Sequence, residues 1–116
     1  MDKFELDVMR DAIQVYGRRD QQAMLLEEMS ELQKEICKHW RGRDNLDEIS
    51  EEIADVEIML DQLKLMLGCT DSVIHWRSNK IHRLADRIME KRVEQAADEA
   101  ADPEYIPLIR PPFRQG

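Results

Sequence analysis

The sequence predicts an all-α protein, a four-helix bundle completed by association between copies, and three observations lead there. Apolar residues recur at the three- and four-residue intervals of amphipathic helices. Four glycines and four prolines in 116 residues, three of the prolines after position 106, leave little turn material for a many-stranded sheet. Charged residues make up 36% and aromatics 5%, so the helices are thin on apolar surface and one copy has too little of it to fill a core.

The first helix is expected from about Lys3 to Tyr16, stopped by Gly17, a residue suited to the left-handed position that ends a helix. Asp20 is the expected cap of a second helix reaching about Trp40. Arg41-Gly42-Arg43-Asp44 breaks the pattern, and Asn45 with Glu48 three residues on resembles a capping box. A third helix then runs to Leu67 and stops at Gly68. Thr70 is placed to cap a fourth, which continues from about Asp71 through an Ala-rich stretch toward Ala101. One helical domain over residues 1–101 is expected, followed by a Pro-rich, extended or disordered tail over 102–116, where Tyr105, Ile106, Leu108, Ile109 and Phe113 offer apolar docking groups.

Charge is distributed unevenly. Residues 27–61 hold 12 acids and 4 bases, whereas the other 81 residues hold 13 of each, so one segment supplies the whole net charge of −8. An acidic chain lacks the broad positive footprint of a nucleic-acid binder. No apolar run is long enough for a membrane span or a secretory signal, and Cys37 and Cys69 lack metal or redox spacing; free thiols in a reducing cytoplasm are expected.

At 100° per residue the acids divide into faces. On the second helix Leu25, Met29, Leu32, Ile36 and Trp40 form an apolar stripe, with Glu28 about 40° from Leu32 and Glu31 about 60° further round. On the third, Ile49, Ile53, Val56, Leu60 and Leu67 form the stripe, Glu52 sits at its margin, and Asp55 lies about 60° beyond. The two helices repeat one device, an acid pair at i and i+3 on the edge of a buried face. A connection of about five residues makes them an antiparallel hairpin, and counting back from it puts the two pairs at nearly the same level, within ~3 Å. Carboxylates gathered so closely need protons, a lysine or arginine, or a divalent cation. An oxygen-only set without His or Cys favours a hard ion, Mg²⁺ first and Mn²⁺ next.

Glu27-Glu28-Met29-Ser30-Glu31 reads as EExxE and Glu52-Ile53-Ala54-Asp55 as ExxD, with 20 residues between them. This pairing resembles the MazG-like group of all-α nucleoside triphosphate pyrophosphohydrolases, over roughly residues 20 to 92. The resemblance implies a Mg²⁺-dependent enzyme cleaving a nucleoside triphosphate between the α and β phosphates to the monophosphate and pyrophosphate. It implies a homodimer or a dimer of dimers, and a part in nucleotide-pool house-cleaning. By motif position Glu28, Glu31, Glu52 and Asp55 are the expected metal ligands. Glu27 or Glu31 is the expected acceptor of the attacking water's proton. A basic stripe on the fourth helix comprises Arg77, Lys80, Arg83, Arg87 and Lys91, and related enzymes touch the triphosphate from this helix. Lys80 and Arg83 are therefore the expected phosphate ligands, with Trp40 and Asn79 as weaker candidates for base and sugar.

Each assignment has a plainer counterpart. The acids can be a solvated face, the cations can form interhelical salt bridges, and Trp40 can be core or interface. A non-catalytic assembly module whose acidic hairpin pairs with a basic partner is the main rival. An acidic mimic of DNA is disfavoured because Glu28 and Glu52 lie against apolar stripes.

Overall fold

A computed structural model of the chain describes Met1–Glu104 and Ile106. Most of the tail expected over 102–116, including Tyr105, Leu108, Ile109 and Phe113, lies outside the described residues. The described residues form four helices and no strand: α1 (Lys3–Tyr16), α2 (Arg18–Trp40), α3 (Leu46–Leu67) and α4 (Thr70–Ala101). The chain divides into two units, the first Met1–Ile74 and the second beginning at His75.

In the first unit the punctuation fixes the packing. Asp2 caps α1 in a full capping box that the sequence reading passed over: Glu5 N–H donates to Asp2 Oδ1 at 2.8 Å, and Asp2 N–H donates to Glu5 Oε2 at 3.3 Å. Gly17 is the single residue between α1 and α2. Its φ of 95° lies where side chains are strained, and its N–H closes α1 on the Ile13 carbonyl at 2.9 Å. The same glycine is the N-cap of α2, which corrects the expectation for Asp20. The helix starts early enough to put Asp20 in its first turn, where the carboxylate still faces the positive end of the helix dipole. Likewise α4 begins at Thr70 itself, one residue ahead of the expected start, with Val73 N–H bonded to the Cys69 carbonyl at 2.9 Å.

The α2–α3 connection brings a further correction. Asn45 makes no capping bond to α3 and there is no capping box with Glu48. Its side chain turns the other way, into α2, where Nδ2 donates to the Glu35 carbonyl at 2.9 Å and to Glu35 Oε2 at 2.7 Å. Asn45 is buried, so one short amide ties the loop to the preceding helix. The Asn45 bond, followed by the Lys38 ammonium at 2.9 Å, holds the Glu35 carboxyl below the usual carboxylate range.

The hairpin of α2 and α3 is the frame of the first unit, and α1 packs on both of its helices. Leu25, Val56, Met59 and Met66 are buried between them together with Met9 of α1, and the polar Gln21 and Gln62 are buried with them. Arg18 donates to the Met66 carbonyl, joining the start of α2 to the end of α3. The core is small: no described side chain is fully buried, and Met29 and Trp40, counted above as stripe residues, are exposed. Trp40 closes α2 and is 80% exposed because the chain turns away at Arg41 and Gly42.

The second unit is the greater part of α4. Its apolar residues Ile81, Leu84 and Ile88 are exposed, as are Arg77, Lys80, Arg83, Arg87 and Lys91. His75 and Trp76 meet edge to face, with ring centres 5.9 Å apart. No helix among the described residues is long and apolar enough to cross a membrane.

Candidate metal centre

The carboxylates are placed by the hairpin. Glu28 stands three residues beyond buried Leu25, and Glu52 and Asp55 stand one turn and one residue before buried Val56, so all three project from the margins of the α2–α3 contact. One oxygen of each lies within 4.8 Å of the others, and all three side chains are half-buried. Loop length and helical rise alone thus bring residues from two helices to one point.

The electrostatics there are unbalanced. Burial raises the Glu28 pKa above its ordinary value, with the Asp55 charge next and the hydrogen bond and charge of Glu52 adding to it. Glu52 Oε2 is buried and receives no hydrogen bond. Within Met1–Ile74 no lysine or arginine pairs with any of the three; the ion pairs there are Lys34–Glu31, Lys38–Glu35 and Lys64–Asp61. A buried carboxylate oxygen without a donor is costly, and a proton, a basic side chain or a hard cation can compensate it. A donor set of three carboxylates and no nitrogen or sulfur suits Mg²⁺ or Mn²⁺.

Glu31 is not brought into this group. It is exposed, and its carboxylate lies 3.4 Å from Lys34 Nζ on its own helix. The additional 60° that separates it from Glu28 turns it toward water, and Lys34 one turn on takes up the charge. Glu27 is exposed as well, on the outer side of α2. Lys80 and Arg83 are exposed on α4, and Asn79 Nδ2 lies 3.2 Å from His75 Nε2. The Asn45–Glu35 bond, seven residues along α2 from Glu28, is the structural element near the site that the sequence reading missed. Its only signal was a buried-type amide placed directly after a turn.

No family model, curated protein or solved structure matches the chain.

Proposed function

We propose that the chain is a Mg²⁺-dependent nucleoside triphosphate pyrophosphohydrolase of the MazG-like all-α kind, acting as a homo-oligomer. In this reading a (d)NTP is cleaved between its α and β phosphates to (d)NMP and pyrophosphate. The observation that carries the reading is the convergence of Glu28, Glu52 and Asp55, with one buried Glu52 oxygen left without a donor. These three hold the ion, which when bound supplies charge neutralisation for the phosphates and acidifies water.

The chain's own groups divide the remaining work. Glu31, one turn from Glu28 and open to solvent, is the first candidate to accept a proton from the attacking water, and Glu27 is the second. By motif position Lys80 and Arg83 are assigned to the β and γ phosphates, and Trp40 and Asn79 to base and sugar. The core supports the oligomer, since five buried apolar side chains among the described residues are few for a stable chain.

The test is phosphate release coupled to pyrophosphatase, over the four common NTPs and the four dNTPs, with and without Mg²⁺. Turnover on at least one of them that depends on Mg²⁺ supports the reading. Zero turnover on all, with no Mg²⁺-linked rise in melting temperature, sinks it and leaves the assembly module as the better account.

A further inference from the structure

The apolar core specifies the alignment of α2 and α3 only weakly. Of the buried apolar side chains, Met9, Met59 and Met66 are methionines. Methionine is unbranched and adapts to the space it meets, so a contact built on it accepts several alignments. The carboxylate centre does not. Glu28 comes from one helix and Glu52 and Asp55 from the other, with oxygens that meet within 4.8 Å, whereas a slip of one helical turn moves a residue about 5.4 Å.

Asn45 is placed to fix that alignment. Its backbone belongs to α3, the carbonyl accepting the first hydrogen bond of the helix from Ile49 N–H at 3.0 Å. Its side chain belongs to α2, through the Glu35 carbonyl at 2.9 Å and Glu35 Oε2 at 2.7 Å. Backbone bonds to the last turn of α2 hold the connection from Arg41 only as far as Arg43. Beyond Arg43, among the described residues, the hydrogen bonds from the connection back to α2 are those of the Asn45 amide.

Counting from this link reaches the carboxylates equally on both helices. Glu28 stands seven residues before Glu35, and Glu52 stands seven residues after Asn45. In an antiparallel pair both steps lead away from the loop by two turns, about 10.5 Å, with a drift of only ~20°. Joining Asn45 to Glu35 therefore sets Glu52 level with Glu28, and Asp55 follows one turn on.

The amide gives up two local advantages in this position. α3 is left without a side-chain cap, although asparagine is among the best capping residues. Its Oδ1 is buried without a hydrogen-bond donor, while Nδ2 is committed to Glu35. A lone buried asparagine fixes the register of paired helices at a cost in stability, and a broken local rule is expected where a site is being served. Lys38 holds Glu35 Oε1 at 2.9 Å, so that carboxylate is balanced where it stands, apart from the three that converge.

We propose that Asn45 is a positioning residue for the carboxylate centre. From two turns away it sets the register of α3 against α2, and through it the convergence of Glu28 with Glu52 and Asp55. The proposal rests on the metal-centre part of the reading above and not on the reaction.

The test separates metal affinity from stability. Mn²⁺ is titrated into the metal-free full chain with the free ion read by electron paramagnetic resonance, and urea unfolding in EDTA gives the stability. Asn45→Ser returns a capping hydroxyl to α3 but is too short to reach Glu35. Its urea midpoint is expected to stay close to the wild type while Mn²⁺ binding weakens by about tenfold to a hundredfold, the usual cost of losing a group that orients ligands. Asn45→Ala is expected to lose both, and if it does not fold the serine variant decides. Glu35→Gln, whose side-chain oxygen still accepts from Asn45, is expected to bind Mn²⁺ as the wild type does. Asp2→Ala, which uncaps α1, is expected to lose stability alone. Unchanged Mn²⁺ affinity in the Asn45 variants overturns the proposal, and so does an equal loss of affinity in Asp2→Ala. A wild type that binds no Mn²⁺, or whose binding survives Glu52→Gln, overturns the metal-centre reading and the proposal with it, so the two failures are told apart.

Discussion

Replacing Glu52 by glutamine keeps the side chain's shape and removes its charge from the group it forms with Glu28 and Asp55. At the 4.8 Å limit that bounds the three oxygens, one pair of unit charges repels by about 3.5 kcal/mol at an effective dielectric of 20 and about 1 kcal/mol in water. The side chains are half-buried and water screens them in part, so the actual strain falls toward the lower figure. Glu52 takes part in two of the three pairs, and the glutamine amide can donate to Glu28 or Asp55. Metal-free protein is therefore expected to gain on the order of 1–2 kcal/mol, a rise in Tm of roughly 4–8 °C. The assay is a thermal melt by circular dichroism in EDTA and again in millimolar Mg²⁺ at pH 7. On the proposed metal-site reading the order should reverse in Mg²⁺, the wild type being raised by binding and Glu52→Gln not. A variant that melts lower than the wild type in EDTA, yet still responds fully to Mg²⁺, refutes the reasoning: the carboxylate is then structural and the ion binds elsewhere.

Other outcomes follow from single side chains. Because the folded-state pKa of Glu28 is raised, its contribution to stability is full below its unfolded value and is lost as pH rises through the folded value; metal-free wild type should lose stability over that window, and Glu28→Gln should not, as pH-dependent urea melts will show. Glu31→Gln should slow turnover while leaving the Mg²⁺-linked rise in Tm near the wild-type value, whereas Asp55→Asn should abolish the rise; equal loss in both would make Glu31 a ligand. Asn45→Ala removes two hydrogen bonds at a buried site and should cost about 1–3 kcal/mol by urea unfolding. Glu35 is held low by that amide, so its contribution is present above the unfolded pKa and lost as pH falls through the folded value; the gap between Asn45→Ala and wild type should narrow in acid, and a constant gap would remove Glu35 from the account. Asp2→Ala should cost about 1 kcal/mol through the lost cap of α1, read in the same melts.

The helices were legible because their limits are chemical. Gly17, Gly68 and the Arg-Gly-Arg-Asp turn each break the apolar period where helix continuation is least favourable, and the structure ends or starts a helix at each. Which residue caps was less legible. Asp20 and Asn45 both have capping side chains, but α2 could begin earlier on a glycine and Asn45 found a better acceptor in the preceding helix, a tertiary choice that local pattern does not contain. The acids show the same division. Helical angle and loop length place Glu28, Glu52 and Asp55 on one margin, and that sufficed to bring them together. For Glu31 the further 60° of rotation turns the carboxylate to solvent, where it lies beside Lys34. The apolar arc of α3 was read as one stripe, whereas α2 and α1 cover only part of it; an arc's width is visible in a sequence and its coverage is not.

The five-residue turn latched by Asn45 also bears on the order of events in folding. Only 27 positions separate Glu28 from Asp55, and the connection between their helices is short, so closing this loop costs little chain entropy and proceeds by local contacts. The hairpin is thus the natural first structure of the chain, formed on the microsecond scale of local helix pairing. Its carboxylates meet within one chain. On the proposed metal-site reading, Mg²⁺ present at that stage should accelerate refolding as well as stabilise the finished protein.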